Sequence, residues 1–247
     1  MTDFLKRTFE GYFKRIIIAG DGVEALQLVR SHVPDIIVSD VMMPRMNGYK
    51  LCKTIKEDIN ISHIPVILLT ARDDRQSQIS GYKNGADGYL SKPFEVEMLM
   101  ELIRNRLKNR EYTKKRYLNA GLIPTPEEST ISLTDETFLI KLNSIIQENI
   151  ENSNLGIQFI CQEVGLGRSS LYNKLKALTG MGANEYISKL RIEKAITLIS
   201  GTDMPFSEIA EKTGFTTPSY FSTAFKQYTG ETPSQYKERK KKGLADK

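Results

Sequence analysis

The chain has 247 residues, 40% of them hydrophobic, which is long for one domain and comfortable for two buried cores. Its formal net charge of +5 leans toward a polyanionic partner. No apolar run approaches the roughly 18 residues that span a bilayer, and the charged, amphipathic start Met1-Thr-Asp-Phe-Leu-Lys-Arg is no secretion signal, so the cytoplasm is the expected compartment.

Short, continuous apolar runs at 15–19, 35–39, 65–69 and 88–91 read as strands buried on both faces. The segments between and after them, near 22–31, 48–57, 74–84 and 95–108, read as amphipathic helices. That alternation predicts an α/β unit with a parallel sheet and helices on both sides. In such a sheet the ligand site lies beyond the carboxyl ends of the strands. Asp40 closes the second run, Thr70 the third and Lys92 the fourth. Each alone reads as an ordinary strand terminator. Together they gather a carboxylate, a hydroxyl and an ammonium on one edge, a set suited to phosphoryl transfer onto an aspartate.

The segments Ser39-Asp40-Val-Met-Met-Pro44-Arg-Met-Asn-Gly48, Leu69-Thr70-Ala71 and Gly85-Ala-Asp-Gly-Tyr89-Leu-Ser-Lys92-Pro93-Phe94 resemble a two-component receiver domain over about residues 1–108. The resemblance implies a flavodoxin-like, doubly wound parallel sheet. It makes Asp40 the phosphoacceptor, Thr70 and Lys92 the switch hydroxyl and lysine, and Tyr89 the aromatic switch residue. It also implies Mg2+ as cofactor, held by Asp40 and the backbone carbonyl of Met42, and a cis Lys92–Pro93 peptide. A cognate sensor histidine kinase is the implied partner, and a homodimer through the receiver is allowed. One departure matters. The family's first strand, with the acidic pair that holds magnesium, is not found, because Thr2-Asp-Phe-Leu-Lys-Arg-Thr-Phe-Glu10 already reads as a helix. Asp3 sits at that helix start and does not replace the pair. Metal binding and phosphorylation are therefore expected to be weak, and the chain is expected to be a fragment or to start at an internal methionine.

Residues 109–134 read as a basic helix extension and linker. Arg104, Arg106, Lys108, Arg110, Lys114, Lys115 and Arg116 face only Glu111, while the stretch from Leu118 to Ile131 holds Gly121, Pro124 and Pro126. A second basic run, Lys237 to Lys242, precedes the tail at 241–247. Such runs read first as solvated faces or tails, and as nucleic-acid contacts only because the repeat in the last third proposes such binding. Cys52 and Cys161 lie in helical apolar patterns and are expected to be buried, reduced thiols. His32 and His63 lack neighbours at metal-ligand spacing, so no zinc site is expected.

The last third carries an internal repeat about fifty residues apart. Ile157-Gln-Phe-Ile-Cys-Gln-Glu-Val-Gly165 precedes the segment Arg168 to Gly180; Phe206-Ser-Glu-Ile-Ala-Glu-Lys-Thr-Gly214 precedes Pro218 to Gly230. Each copy reads as helix, glycine turn, helix, the grammar of a helix-turn-helix whose second helix enters the DNA major groove. Ile157, Ile160, Val164, Leu166, Leu171, Leu175 and Leu178 form the expected core of the first copy; Ile209, Phe215, Phe221, Phe225 and Tyr228 that of the second. The outward residues are Arg168, Ser169, Tyr172, Asn173 and Lys176 in the first. In the second they are Ser219, Ser222, Thr223 and Lys226, with Thr217 as helix cap. Arg and Asn suit base edges, the others phosphates. For Tyr172 and Tyr220, packing and DNA contact stay open. A helix from 183 to about 200 joins the copies; it is about 27 Å long, against about 34 Å for a DNA turn.

With Thr179-Gly180, Arg191-Ile-Glu-Lys-Ala195, Gly214-Phe215 and Gly230-Glu-Thr-Pro-Ser-Gln-Tyr236, residues 135–240 resemble the AraC/XylS DNA-binding domain. A receiver before such a domain implies a phosphorylation-controlled transcription regulator acting on duplex DNA, not an enzyme. The same pairing resembles the C-terminal end of hybrid sensor kinase/response regulators. A phosphotransfer module, or a degenerate receiver serving only protein contacts, are the other readings.

Overall fold

The computed structural model describes residues 2–71, 85–120 and 132–245. The helix expected at 74–84 and most of the linker lie outside them. The chain divides into two compact units, Met1–Thr113 with Glu127–Glu136, and Lys114–Pro126 with Thr137–Lys247.

The first unit is built on three parallel strands, β1 (Ile37–Asp40), β2 (Val66–Ala71) and β3 (Gly88–Lys92), in the order β1-β2-β3. The pleat of β2 explains its unbroken apolar sequence. Val66 and Leu68 join Val41, Leu51, Ile55 and Ile61 on one face, while Ile67 and Leu69 join Phe9, Leu90, Leu99 and Ile103 on the other. Helix α1 (Thr2–Phe9) leads into the unit. Helix α2 (Gly22–His32) is capped by the side chain of Asp21, and α3 (Gly48–Glu57) by that of Asn47. Cys52 of α3 is buried, and burial pushes its thiol up to about 12 against the opposing charge of Lys56, so it is inert at neutral pH. Helix α4 (Val96–Ala120) continues past 108 into the stretch read as a basic helix extension.

One expected strand does not form. Residues 15–19 carry no strand hydrogen bonding, and Ile17 and Ile18 are 37% and 38% exposed. A strand exists only through a neighbour's ladder, and no described segment offers one here.

The second unit is helical. Helices α5 (Leu133–Glu148), α6 (Ile157–Val164) and α7 (Arg168–Thr179) come first. Then follow α8 (Ala183–Gly201), α9 (Phe206–Lys212), α10 (Pro218–Thr229) and α11 (Pro233–Ala245). Gly165 ends α6 at φ 74°, a left-handed conformation that glycine adopts without a Cβ penalty. Ile160, Val164, Leu166, Leu171, Leu175 and Leu178 are buried, whereas Ile157 is half-buried. Ile192, Ala195 and Ile199 of α8 pack on Ile209, Phe215, Phe221, Phe225 and Tyr236. Helix α8 has 19 residues, about 28 Å of rod.

Besides Ile157, two further residues expected to be buried behave otherwise. Tyr228 is 39% exposed, because its hydroxyl donates to Glu193 Oε1 at 3.2 Å and so stays at the edge of the core. Cys161 is only half-buried on α6. Among the described residues no helix is long and apolar enough to cross a membrane.

Candidate functional site

The sheet brings the three strand-end residues to one edge. Asp40 lies opposite Leu69, Thr70 opposite Ser91 and Ala71 opposite Lys92 in the parallel register. Lys92 Nζ donates to Asp40 Oδ2 at 2.5 Å, across side chains left 29% and 26% exposed. The Met42 N–H donates to Asp40 Oδ1 at 3.2 Å. Both carboxylate oxygens thus meet donors, yet the carboxylate keeps an open side. Thr70 is fully buried, and its hydroxyl has no hydrogen-bond partner among the described residues. That is an expensive state unless something else accepts the bond. Tyr89 is half-buried beside Leu68, and the Lys92–Pro93 peptide is cis.

Close backbone contacts hold the loop after Asp40. A Cβ on Gly48 would stand 2.3 Å from the Asp40 carbonyl oxygen, and one on Gly22 would stand 2.5 Å from that of Met46. Arg45 adopts φ 59°, and its guanidinium pairs with the buried carboxylate of Asp21. Sequence reasoning gave no separate role to Asp21, Arg45 or either glycine. An Asp-Gly before an apolar helix signalled the cap, but nothing in an arginine announces a left-handed backbone.

These residues do not fit a magnesium cage. No group of three His, Cys, Asp or Glu side chains among the described residues could hold a metal. Lys92 already occupies one Asp40 oxygen. Asp21, the other carboxylate near this loop, is consumed by Val23 N–H, Glu24 N–H and Arg45. Met42 is 80% exposed, with only its N–H seen to engage Asp40. A hard divalent ion asks for more oxygen charge than Asp40 alone supplies.

The second cluster lies on α7 and α10. On α7, Arg168, Ser169, Tyr172 and Lys176 are exposed and Asn173 is half-buried; on α10, Thr217, Ser219, Thr223 and Lys226 are exposed and Ser222 is half-buried. The two sets occupy matching places, with Lys176 and Lys226 both eight residues after the first helical residue. Tyr172 and Tyr220 are each 54% exposed, and the Tyr220 ring also packs edge-on against Phe215, 5.7 Å between centroids. Arg168 Nη2 donates to Gln158 Oε1 at 3.3 Å, which steers it from the preceding helix. Thr217 accepts from Tyr220 N–H as the cap of α10. The hydroxyls of Ser222 and Thr223 donate to Pro218 O and Ser219 O, leaving lone pairs outward. Ser222, Thr223, Lys226, Gln227, Gly230 and Thr232 line an open groove.

A family model described as the response regulator receiver domain matches residues 1–104, and one described as a helix-turn-helix domain matches residues 160–239. Histidine kinase P4 of Formosa agariphila is 42% identical over 224 residues, 91% of this chain but only 16% of that protein. The "Probable transcriptional regulator ycf29" of Pyropia yezoensis is 30% identical over 181 residues, 69% of this chain and 82% of its own length. Transcriptional regulatory protein HptR of Staphylococcus aureus is 28% identical over 228 residues, 91% of this chain and 88% of its own. With both domain models matched in order and the likeness to the Pyropia regulator spanning most of that protein, this chain belongs to the two-component response regulators, a receiver followed by a helix-turn-helix domain.

Proposed function

We propose that the chain reads duplex DNA through α7 and α10 together, under the control of phosphorylation at Asp40. The observation that carries this is the repetition of one outward face at matching positions of two helices of the same unit. The connecting rod, about 28 Å long, is close to the repeat of about 34 Å that separates successive major grooves on one side of the duplex. Arg168 and Asn173 suit base edges, and the lysines and hydroxyls suit phosphates.

At the sheet edge, an Asp40 oxygen attacks the phosphorus of a sensor kinase's phosphohistidine. The O–P bond forms, the N–P bond breaks, and the imidazole leaves with a proton from solvent. Lys92 offsets the charge on the phosphoryl oxygens, and the Thr70 hydroxyl finds there the acceptor it lacks. The cytoplasm is the compartment that suits this chemistry and a DNA target.

A second reading is favoured by the likeness to histidine kinase P4 over nearly this whole chain. In it, these residues are the regulator end of a longer sensor kinase. An antibody against residues 135–247 distinguishes the two by detecting either a protein of this chain's size or a far larger one.

The test of the DNA reading is selection from a pool of genomic duplex fragments by the full chain at moderate salt. Enrichment of sites protected over two adjacent major grooves, with affinity falling steeply as salt rises, is the expected result. Uniform recovery of all fragments would overturn it.

A further inference from the structure

On α8 an arginine stands where three segments meet. Arg191 is 9% exposed. Its Nη2 donates to the carbonyl oxygen of Asn152 at 2.7 Å, in the turn between α5 and α6. Its guanidinium carbon lies 6.0 Å from the centre of the Phe215 ring, just after the turn between α9 and α10. Gly214 in that same turn has φ +73°, and a Cβ there would stand 2.2 Å from Ile150 O and 2.8 Å from Arg191 Nη2. One turn of α8 further along its edge, Lys194 Nζ reaches Glu151 Oε1 at 3.1 Å. The turn 149–156 belongs to the first helix pair and the turn at Gly214 to the second. Arg191 therefore touches both pairs from the rod that joins them.

We propose that Arg191 is a positioning residue that fixes the separation and phase of α7 and α10, and through them the spacing between the two DNA boxes the chain accepts. This rests on the reading that both helices contact DNA. A planar guanidinium donates in one direction while its face lies on an aromatic ring, so it holds two neighbours at a set angle. An ordinary core side chain would fill the same space without that directionality. The contact with Gly214 adds the second half of the device. Glycine lets the α9–α10 turn come down onto Ile150 and the guanidinium, and any side chain would push it off.

The experiment has two arms on the full chain. Spin labels are placed at Gln162→Cys on α6 and Glu211→Cys on α9, with Cys161→Ser, and their distance distribution is measured without DNA. One narrow distance is expected with Arg191 present, and a broad or shifted distribution with Arg191→Gln or Gly214→Ala. In the second arm the same Arg191 and Gly214 proteins, unlabelled, select from a pool of random duplexes. With Arg191 present, two boxes should emerge at one fixed spacing. Arg191→Gln should select the same boxes over several spacings, with about tenfold weaker binding to the fixed-spacing duplex as the linked second contact loses effective concentration, and unchanged binding to a single box. Folded Arg191→Gln and Gly214→Ala proteins that keep one narrow distance and one spacing would overturn the proposal. If Arg191→Gln does not fold, Arg191→Lys carries the comparison, since it keeps charge and reach but loses the planar fork. Failure of both Arg191 variants to fold would also overturn it, by making Arg191 a residue of the fold and not of spacing. Failure of the parent chain to select any duplex would sink the DNA reading and leave the distance arm standing.

Discussion

The α-carbon of Gly48 faces the carbonyl oxygen of Asp40 so closely that a Cβ would stand 2.3 Å away. The Gly48 N–H also donates to Val41 O at 2.9 Å. The first turn of α3 is therefore the floor on which the loop after β1 rests, and that loop aims the Asp40 carboxylate. Gly48→Ala should force backbone apart here. The expected cost is about 1–3 kcal/mol, the usual range for inserting a methyl into a packed site, read as a lower urea midpoint. The variant should also label more slowly at Asp40. An unchanged midpoint and labelling rate would show that the loop yields without consequence.

The pair of Asp40 and Lys92 is partly solvated, so its value to stability is modest, about 1 kcal/mol or less. Its proposed value lies in chemistry. Asp40→Asn should abolish phosphoryl uptake from acetyl phosphate while leaving the fold intact, as read by intact mass and circular dichroism. Lys92→Met should keep the nucleophile but lose the charge beside it, so uptake should become slow. Labelling that persists in Asp40→Asn would place the acceptor elsewhere.

Among the described residues no group of three His, Cys, Asp or Glu side chains is placed to cage a cation. A bound metal in a phosphoryl-transfer site contributes several kcal/mol of charge stabilisation. Magnesium should accordingly change the labelling rate of this 247-residue chain little relative to chelator. A steep magnesium dependence would reveal metal ligands outside the set identified around Asp40.

Arg168 and Lys226 lie on the corresponding faces of α7 and α10, and both are exposed. Arg168→Ala should cost about 1–3 kcal/mol and relax preference at one base position, as loss of a bidentate guanine contact does. Lys226→Ala should weaken binding about equally for all sequences and flatten the salt dependence. Binding-site selection with the two variants separates these outcomes, and the reverse pattern would mean that the base and phosphate contacts have been exchanged.

Much of this was legible in the sequence because chemistry and periodicity coincide there. The apolar runs ending at Asp40, Thr70 and Lys92 fold into adjacent strands with those residues at one edge. The glycine turns at Gly165 and Gly214 take the positive φ that their place in the repeat requires. What was not legible depends on partners. Residues 15–19 read as a strand because an apolar run carries no mark of whether a neighbour exists. Tyr228 has the periodicity of a core residue, but its hydroxyl binds Glu193 at the rim. Arg191 stands in the sequence only as the first residue of Arg191-Ile-Glu-Lys-Ala195 and Lys189 draws no notice there, yet both are buried, and only the packed neighbours of α8 reveal why.

Asp58 offers a test of the receiver fold by pH. Its side chain is 18% exposed. Burial works to raise its carboxyl, but hydrogen bonds from Asn60, then the bond and charge of Arg30, hold it below its ordinary 3.8. Arg30 Nε and Nη2 both reach Asp58 Oδ2, at 3.2 and 3.0 Å, and so tie α2 to the end of α3. A depressed carboxyl contributes stability that is fully present above its unfolded value, and that is lost as pH falls through the folded one. Asp58→Asn should therefore be destabilising at neutral pH by about 1 kcal/mol, in keeping with charge-assisted bonds to a partly solvated arginine. The gap between parent and variant should hold at and above the ordinary carboxyl range and close only as pH falls below the depressed folded value, where both side chains are neutral. Urea unfolding across that range measures it. A gap that persists undiminished at the acid end would mean that Asn60 and Arg30 hold Asp58 by shape and not by charge.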